Sequence, residues 1–527
     1  MGGQKNIEIM DTTLRDGEQT SGVSFLPSEK LQIAKLLLEE LKVDRIEVAS
    51  ARVSEGEMEG VKKITHWAKE KKFLDKIEVL GFVDTPKSVD WLVEAGAKVL
   101  NLLTKGSLNH LTHQLKKTPE EHFQEIEECI RYAIDKGIAV NVYLEDWSNG
   151  MRNSREYTLD LIHFLSTLQV RRIMLPDTLG LLQPEEVKSF LLLITEKFPT
   201  VHFDFHAHND YDLSVANVLQ AVACGAKGIH TTVNGLGERT GNAPLESVVA
   251  VIKDFTEFDL GIKENKIYRI SKLVEQFSGL HIPANKPVVG ENVFTQTAGV
   301  HADGDNKKNL YYSDLMPERF GRTRKYALGK TSGKANILKN LQELGISLEP
   351  DELTKVTQRI IDLGDRKERV TTEDLPYIIS DVLQNNSIKT DISIDGYHMV
   401  HSKGLKPSVQ LRMKIHEEYY EQNASGDGQY DSFMKALKKI YKSLNKELPK
   451  LTDFHISIPP GGKTDAFVEC VITWDYGKIF KTKGLDSDQT IAAMKATEKM
   501  LNIIEQLNKT NQEKLNSYGN EYSPITW

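Results

Sequence analysis

Short runs of aliphatic and β-branched residues, most of them ending in polar residues, alternate with amphipathic stretches along the first half of the chain. The runs are IEIMD (7–11), RIEVAS (45–50), KIEVLGF (76–82), KVLNLLT (98–104), AVNVYLED (139–146), RRIMLPD (171–177), VHFDFHAH (201–208) and GIHTTVNG (228–235). After the first run, Leu31, Leu38 and Leu41 recur on one helix face. Eight strands alternating with helices predict a closed (β/α)8 barrel, or TIM barrel, over residues 1–270. An open doubly wound sheet is the alternative, but the glycine-rich turn typical of such sheets is missing after the first strand.

The pattern changes beyond residue 270. Residues 271–388 are mostly helical with polar and glycine-containing breaks, which predicts helical linker subdomains. Residues 389–510 combine strand-like alternation with long amphipathic stretches, which predicts an α+β domain. Residues 511–527 are polar and are predicted to form a tail.

The α+β segment contains an internal repeat. Val409 and Leu411 alternate with polar residues as in a half-buried strand, and a helical stretch follows. Further along, Cys470 and Ile472 alternate in the same way before a second helical stretch. Two strand–strand–helix halves predict a domain with an internal two-fold repeat.

Composition and charge are those of a globular protein. Hydrophobic residues make up 39% of the chain, and the formal net charge of −8 argues against a nucleic-acid or anionic membrane partner. The cysteines are far apart, which disfavours a disulfide framework and a thiolate metal site. No secretory signal is visible, and no apolar run approaches the ~20 residues of a membrane span. We therefore expect a cytoplasmic protein.

Two histidines close the seventh predicted strand, in the segment VHFDFHAHND (201–210). His206 and His208 are two residues apart, so their side chains point to the same side of the strand. At the carboxyl end of a barrel strand both would line the mouth, where barrel enzymes have their active sites. Neutral imidazoles are good ligands for a divalent metal. A pair of hydrogen-bonded surface histidines is the alternative interpretation.

The segment DTTLRDGEQ (11–19) follows the first strand, which lies near the seventh in a closed barrel. Asp16 could add an anionic metal ligand, and Arg15 could stabilise negative charge that develops on a substrate oxygen. Asp11 and Gln19 could orient these groups or the substrate. An ordinary Asp-Gly turn is the alternative for this segment.

The segment NGLGERTGN (234–242) follows the eighth strand. Thr240 stands where a dinucleotide-binding GxGxxG motif needs its third glycine, which excludes that motif. Asn242 can supply an amide oxygen to a metal. One Asp, two His and one Asn make a mixed site that suits Zn²⁺, Mn²⁺, Mg²⁺ or Co²⁺ and leaves positions open for a chelating 2-oxo acid. A metal there would polarise the keto carbon.

Two of these motifs carry a family resemblance. LRDGEQ, followed after ten residues by Lys30, and HAHND resemble the two signatures of the 2-isopropylmalate, homocitrate and citramalate synthases. Asp212 departs from the glycine usual in that family, which affects none of the expected ligands. ASARVS, VLGFVD, NLLTKGSL and PERFGR are similar to the bacterial (R)-citramalate synthase branch. The resemblance extends over essentially the whole chain, including the C-terminal repeat, which looks like the family's allosteric domain.

The resemblance implies an acyltransferase and a set of site residues. The expected reaction is a metal-assisted Claisen condensation of acetyl-CoA with pyruvate, followed by thioester hydrolysis, to give (R)-citramalate and CoA in isoleucine biosynthesis. By resemblance, the metal ligands are Asp16, His206, His208 and Asn242. The implied catalytic residues are Arg15, Glu145, His301 and Tyr311, with the last two completing the site across a homodimer. Gln19 and Thr178 are implied to contact the substrate, with Thr178 on the oxo-acid carboxylate.

Substrate choice is expected to depend on Leu80, Leu103 and Tyr143, which face the oxo-acid side chain in the resembling branch. Two leucines and a tyrosine leave room for a methyl group and exclude an isopropyl group sterically, which favours pyruvate over 2-oxoisovalerate. Ordinary apolar core residues are the alternative. The runner-up function is therefore 2-isopropylmalate synthase, in leucine biosynthesis, with the same chemistry and a larger substrate.

The C-terminal domain is expected to bind a branched-chain amino acid effector, isoleucine for a citramalate enzyme or leucine for an isopropylmalate enzyme. The predicted effector-binding residues are Tyr430, Asp431, Leu451, Phe454, Ile458, Thr464 and Val468. A plain dimerisation module is the alternative for this domain. Three further functions are less favoured: homocitrate synthase, whose dicarboxylate needs a cationic pocket, a related lyase, and a catalytically silent regulatory protein.

Overall fold

The computed structural model describes residues 7–305, 310, 313–344, 346–365, 370–383, 391–457, 468–477 and 479–519. The chain divides into two compact units. The first comprises residues 1–296 and 304–325, and the second comprises residues 297–303 and 326–527. The predicted domain limits at residues 270, 388 and 510 stay predictions.

Eight parallel strands in the first unit close into the predicted barrel, which confirms the fold class. The strands are β1 (Glu8–Asp11), β2 (Arg45–Ser50), β3 (Ile77–Phe82), β4 (Val99–Lys105), β5 (Ala139–Glu145), β6 (Ile173–Asp177), β7 (Phe203–Ala207) and β8 (Gly228–Thr231). Each pairs with the next, and β8 pairs with β1 through Met10 and His230. Strand β8 ends at Thr231 instead of residue 235, and Asn234 beyond it has a left-handed φ of 60° that a strand cannot accommodate.

Helices cover the outside of the barrel. They are α1 (Pro27–Lys35), α2 (Glu55–Lys71), α3 (Lys87–Glu94), α4 (Leu108–His110), α5 (Pro119–Asp135), α6 (Trp147–Asn153), α7 (Arg155–Ser166), α8 (Pro184–Lys197), α9 (Ser214–Ala223), α10 (Leu245–Phe255) and α11 (Ile267–Ser278). Their starts are encoded locally. The Ser54 side chain accepts from the Glu57 N–H at 3.1 Å to begin α2. Thr118 and Glu121 cap each other's backbone N–H groups at the start of α5.

The strand faces that pack against the helices are apolar, and the faces that point into the barrel carry buried polar residues. Ile46 and Val48 of β2 belong to the core between strands and helices. Alternate positions point inward, and Glu47, Glu78 and Asn101 are fully buried there. Because a buried polar group is costly without a partner, a polar interior requires a connected network of hydrogen bonds.

The second unit contains helices and two antiparallel sheets. The elements that follow the barrel in the chain are β9 (Thr295–Gln296), α12 (Gly299–Asp305), β10 (Lys325–Tyr326), α13 (Lys334–Leu344), α14 (Pro350–Asp365), α15 (Leu375–Leu383), β11 (Ile392–Val400), β12 (Ser408–Ile415), β13 (Glu418–Ser425), α16 (Gln429–Ser443), β14 (Lys450–Ser457), β15 (Val468–Asp475), β16 (Ile479–Asp486) and α17 (Gln489–Gly519). Helices α13, α14 and α15 share a small core around Ile337, Val356 and Leu375.

The internal repeat is present with three strands in each half instead of two. One half is β11–β12–β13 followed by α16, and the other is β14–β15–β16 followed by α17. The alternating segments identified in the sequence are the middle strands, β12 and β15, and the first strands of the two halves are β11 and β14. Each has a register shift, between Ile394 and Gly396 in β11 and between Leu451 and Asp453 in β14. A bulge interrupts the alternation of apolar and polar residues, so neither strand shows the expected pattern.

The last helix, α17, runs from Gln489 to Gly519. Its later residues are mostly Lys, Glu, Gln and Asn, of which all but Asn are good helix formers. Among the described residues, no helix combines the length and apolarity that would be needed to cross a bilayer.

Candidate active site at the barrel mouth

Three predicted metal ligands meet at the carboxyl ends of β1 and β7. Nε2 of His206 lies 3.1 Å from Oδ2 of Asp16, and Nε2 of His208 lies 3.9 Å from the same oxygen. One ligand atom from each residue lies within 4.8 Å of the others, and all three side chains are buried. The strand alternation inferred from the sequence is the reason that both imidazoles reach the same point.

The electrostatics of this group suit a cation. Burial raises the pKa of Asp16, but the Arg15 guanidinium and the hydrogen bond with His206 outweigh burial and hold that pKa below its usual range. Burial lowers the pKa of His208 to about 4, so its ring is neutral at pH 7. Nδ1 of His206 and Nδ1 of His208 are both buried without a hydrogen-bond partner. An anionic carboxylate beside two imidazoles, each with a ring nitrogen that has no hydrogen-bond partner, fits a divalent metal.

Asn242 lies next to this group. Its backbone forms an isolated bridge with His208, and its Nδ2 donates to the Leu236 carbonyl at 3.1 Å. Its Oδ1 is buried without a hydrogen-bond partner. The preceding loop depends on Gly241, where a Cβ would lie 1.9 Å from the Gly235 oxygen. The glycines of the NGLGERTGN segment therefore allow the close turn that brings Asn242 back to β7.

Arg15 is held at the mouth by an acidic side chain from β2. Its Nε donates to Oε2 of Glu47 at 2.5 Å, and its NH1 lies 3.5 Å from Oδ1 of Asp16. Burial lowers the pKa of Arg15, but Glu47 and Asp16 outweigh burial and raise it, so the guanidinium stays charged. Its NH2 is 3.5 Å from the Tyr143 hydroxyl. Arg15 thus offers a fixed positive charge beside the Asp16–His206–His208 group.

The three predicted pocket residues lie together inside the barrel. Leu80 and Tyr143 form an apolar cluster with Met10 and Met174, and Leu103 packs against it. Leu103 and Tyr143 are register partners on β4 and β5. The cluster is separate from the main core between strands and helices. The role of its three predicted residues in substrate choice stays a prediction.

Glu145 and Thr178 stand at neighbouring strand ends. Glu145 at the end of β5 forms an ion pair with Lys105 at the end of β4. Thr178 follows β6, is half-buried, and accepts the Asp146 N–H through its hydroxyl at 2.9 Å. The hydroxyl hydrogen of Thr178 is available to a carboxylate oxygen.

The structure gives less information on the remaining three residues of the predicted catalytic site. Gln19 is exposed at the mouth, and its backbone N–H donates to the Asp16 carbonyl at 3.0 Å. His301 is exposed on α12 in the second compact unit. Tyr311 lies outside the described residues. The roles of all three stay predictions.

Of the predicted effector-binding residues, Tyr430 and Phe454 are in contact, with ring centroids 5.1 Å apart. Leu451 lies on the same strand as Phe454. Asp431, next to Tyr430, is half-buried and accepts from the Asp427 N–H and from Lys435. Val468 begins β15 and is half-buried. Ile458 and Thr464 lie outside the described residues.

The sequence analysis missed three buried polar residues that contact the predicted site: Glu47, Lys105 and His230. Each occupies a strand position whose side chain points into the barrel. The signal was present, because an acidic, basic or imidazole side chain at an inward position of a buried strand needs a partner. The partner lies on another strand, so its identity could not be inferred from spacing along the chain.

A closed barrel with a buried acid–histidine group at its mouth has the arrangement of a metal-assisted barrel enzyme. Residues 6–274 match the HMGL-like family, residues 288–368 the homocitrate synthase post-HMGL domain-like family, and residues 369–505 the LeuA allosteric (dimerisation) domain. The chain thus belongs to the HMGL-like family and is an acyltransferase of the citramalate synthase or 2-isopropylmalate synthase type.

Relatives of known name extend over most of the chain. The (R)-citramalate synthase of Methanocaldococcus jannaschii is 34% identical over 502 residues, covering 94% of this chain and 99% of the relative. The 2-isopropylmalate synthase of the same organism is also 34% identical, over 510 residues, covering 95% of this chain and 94% of the relative. A homocitrate synthase of Methanopyrus kandleri is 37% identical over 386 residues, covering 73% of this chain and 94% of the relative.

Proposed function

We propose that this protein condenses acetyl-CoA with pyruvate and water to give (R)-citramalate and CoA. The observation that carries the proposal is the apolar cluster of Leu80, Leu103 and Tyr143 inside the barrel, with Met10 and Met174 behind it. Bulky side chains from five strands fill this space, which favours an oxo acid with a methyl group. The similarity to a relative named (R)-citramalate synthase supports the same substrate.

The residues at the mouth divide the chemistry among them. Asp16, His206, His208 and Asn242 would hold a divalent metal, which supplies Lewis acidity to the keto group when bound. Arg15, fixed by Glu47, would stabilise the negative charge that develops on a substrate oxygen. Thr178 would donate to the oxo-acid carboxylate. Glu145 would position acetyl-CoA or act as the base that removes a proton from its methyl group. His301 is a second candidate for this base.

The metal assignment can be tested by binding alone. Asp16→Asn removes the anionic ligand but keeps the side-chain volume, so we expect Mn²⁺ affinity to fall roughly 100-fold in titration calorimetry. Asp210→Asn is the matched control, because Asp210 pairs with Arg239 near the mouth and lies outside the ligand set. Equal Mn²⁺ affinity in Asp16→Asn and the wild type would reject the assignment.

The alternative is 2-isopropylmalate synthase, which the similarity to a relative of that name supports equally in sequence identity. Thiol release from acetyl-CoA with Mn²⁺ or Mg²⁺ distinguishes the two when pyruvate and 2-oxoisovalerate are compared at equal concentration. We expect a preference for pyruvate. A preference for 2-oxoisovalerate would keep the chemistry and move the enzyme to leucine synthesis. The same assay with 2-oxoglutarate tests a homocitrate synthase.

The C-terminal domain supports a regulatory role. Its match to the LeuA allosteric (dimerisation) domain favours a homodimer whose activity responds to a small effector. We propose isoleucine, the branched-chain amino acid downstream of citramalate, with contacts from Tyr430 and Phe454.

A further inference from the structure

The hydroxyl of Tyr143 has a specific partner deep in the barrel. Tyr143 is 3% exposed on β5, and its ring forms one wall of the apolar cluster described above. Its hydroxyl oxygen lies 3.1 Å from Nδ1 of His230 on β8, and the two rings meet edge to face with centroids 5.5 Å apart. The corresponding distances to Glu47 and Arg15 are longer, 3.4 and 3.5 Å. His230 is therefore the closest polar partner of this hydroxyl.

The other side of the imidazole is also hydrogen-bonded. Nε2 of His230 lies 3.0 Å from Oδ2 of Asp204, which also accepts from NH2 of Arg45 at 2.7 Å.

An imidazole nitrogen that faces a carboxylate oxygen carries a hydrogen and donates it. Nε2 of His230 thus donates to Asp204, and Nδ1 hydrogen-bonds with the Tyr143 hydroxyl, for which Oε2 of Glu47 at 3.4 Å is a second acceptor. Arg45, Asp204, His230 and Tyr143 form one buried line from the bottom of the barrel to the pocket. The hydrogen bonds along this line restrict the position of its last member, Tyr143.

We propose that His230 determines oxo-acid specificity as a positioning residue, by holding the Tyr143 ring across the pocket. With the ring held in place, the space above Leu80 and Leu103 admits a methyl group and excludes a longer chain. Without the hydrogen bond, the Tyr143 ring can move aside and the larger substrate gains access. This inference rests on the proposed function, because it concerns the same pocket.

The test compares kcat/KM for 2-oxobutyrate, which is one methylene longer, with kcat/KM for pyruvate. His230→Phe keeps a ring and removes the acceptor, Tyr143→Phe removes only the hydroxyl, and His230→Gln can still donate to Asp204 and accept from Tyr143. We expect the ratio to rise about fivefold in each phenylalanine variant, the effect of one neutral hydrogen bond, and to return towards wild type in His230→Gln. The double variant His230→Phe/Tyr143→Phe should raise the ratio no more than either single substitution does.

A merely structural role for His230 would lower activity on both substrates and leave their ratio unchanged. Tyr441→Phe is the control, because it removes another buried tyrosine hydroxyl, which lies on α16 in the second unit. An unchanged ratio in Tyr143→Phe overturns the inference, even if His230→Phe does not fold. The inference is also overturned if the changes in the ratio from the two single substitutions add fully in the double variant. A preference of the wild type for 2-oxoisovalerate would reject the proposed function but not this inference. The ratio of kcat/KM for the larger substrate to kcat/KM for the smaller one would still decide the role of His230.

Discussion

At the residue scale, Lys105 holds the carboxylate of Glu145, one of the proposed catalytic groups. Its side chain is 9% exposed and is paired with Glu145, its register partner on β5. Lys105→Met would remove the cation that pairs with Glu145, so the Glu145 carboxylate could move away from its position. We expect kcat to fall about tenfold or more while the protein stays folded, as measured by thiol release and thermal melting.

Lys105→Arg serves as the rescue variant, because it keeps the charge and should recover much of the lost kcat. If Lys105→Met lowered only the melting temperature and left kcat unchanged, the pair would be structural.

The metal-ligand candidates were predictable from the sequence, whereas their supporting residues were not. His206 and His208 are separated by one residue at the end of a strand, and alternation alone directs both to one point. Glu47 and His230 also point inward, but their partners Arg15 and Tyr143 lie on other strands or loops. Cross-strand register, which decides these contacts, is not encoded in the spacing along one strand.

At the scale of elements, Lys30 connects the loop that carries Asp16 to two helices. Lys30, on α1, is 1% exposed, and its Nζ lies 2.6 Å from Glu18 and 2.5 Å from Glu57 at the start of α2. The same Nζ donates to the Leu14 carbonyl at 3.2 Å. Leu14 and Glu18 flank Arg15 and Asp16, so this buried cation anchors the loop on both sides.

Lys30→Met should therefore destabilise the barrel, because two partly buried carboxylates lose their common partner. We expect a loss of about 2–3 kcal/mol in the free energy of unfolding, measured by chemical denaturation. Lys63→Met is the control, since Lys63 forms an exposed pair with Glu59 one turn away on α2. Equal stability of the two variants would contradict the anchoring role.

Helix α5 gives the barrel a dependence on pH. Burial, with help from Lys117 and Lys105, lowers the pKa of His122 to about 4, and its Nε2 accepts the Lys105 N–H at 3.2 Å. An unfolded histidine binds a proton below about pH 6.5, whereas folded His122 does so only near pH 4. The unfolded state binds more protons between these values, so stability is full above pH 6.5 and falls as the pH is lowered towards 4.

His122→Gln should remove about 3 kcal/mol of this acid-induced loss of stability. The measurement is the difference in unfolding free energy between pH 7.5 and pH 4.5 for wild type and variant. His163→Gln, at an exposed position on α7, should keep the wild-type difference. A wild-type slope in His122→Gln would show that other groups cause the acid sensitivity.

Elements were predictable where the hydrophobic period was uninterrupted. The barrel strands are short apolar runs because helices cover their outer side, and all eight were found. Strands β11 and β14 were missed because each contains a bulge. Pairing with β12 and β15, more than local propensity, gives these strands their structure.

At the scale of the whole molecule, the proposed metal site and the proposed effector site lie in separate compact units of the chain. The C-terminal repeat has its own core, in which Phe433, Trp474 and Met500 are buried. An effector bound there can change activity only if it binds two states of the protein with different affinity. The expected sign for an end product of the pathway is inhibition.

We expect isoleucine to inhibit thiol release from acetyl-CoA and pyruvate, and leucine to inhibit it less. The Tyr430 ring stacks obliquely against Phe454 on β14, and the Tyr430 hydroxyl bonds with Thr497 at 2.7 Å. Phe454→Ala removes one side of this aromatic contact, so the isoleucine concentration for half inhibition should rise about tenfold. Tyr397→Ala, at an exposed position on β11, should keep wild-type inhibition. Inhibition by leucine alone would favour 2-isopropylmalate synthase, and inhibition by neither amino acid would leave dimerisation as the role of the domain.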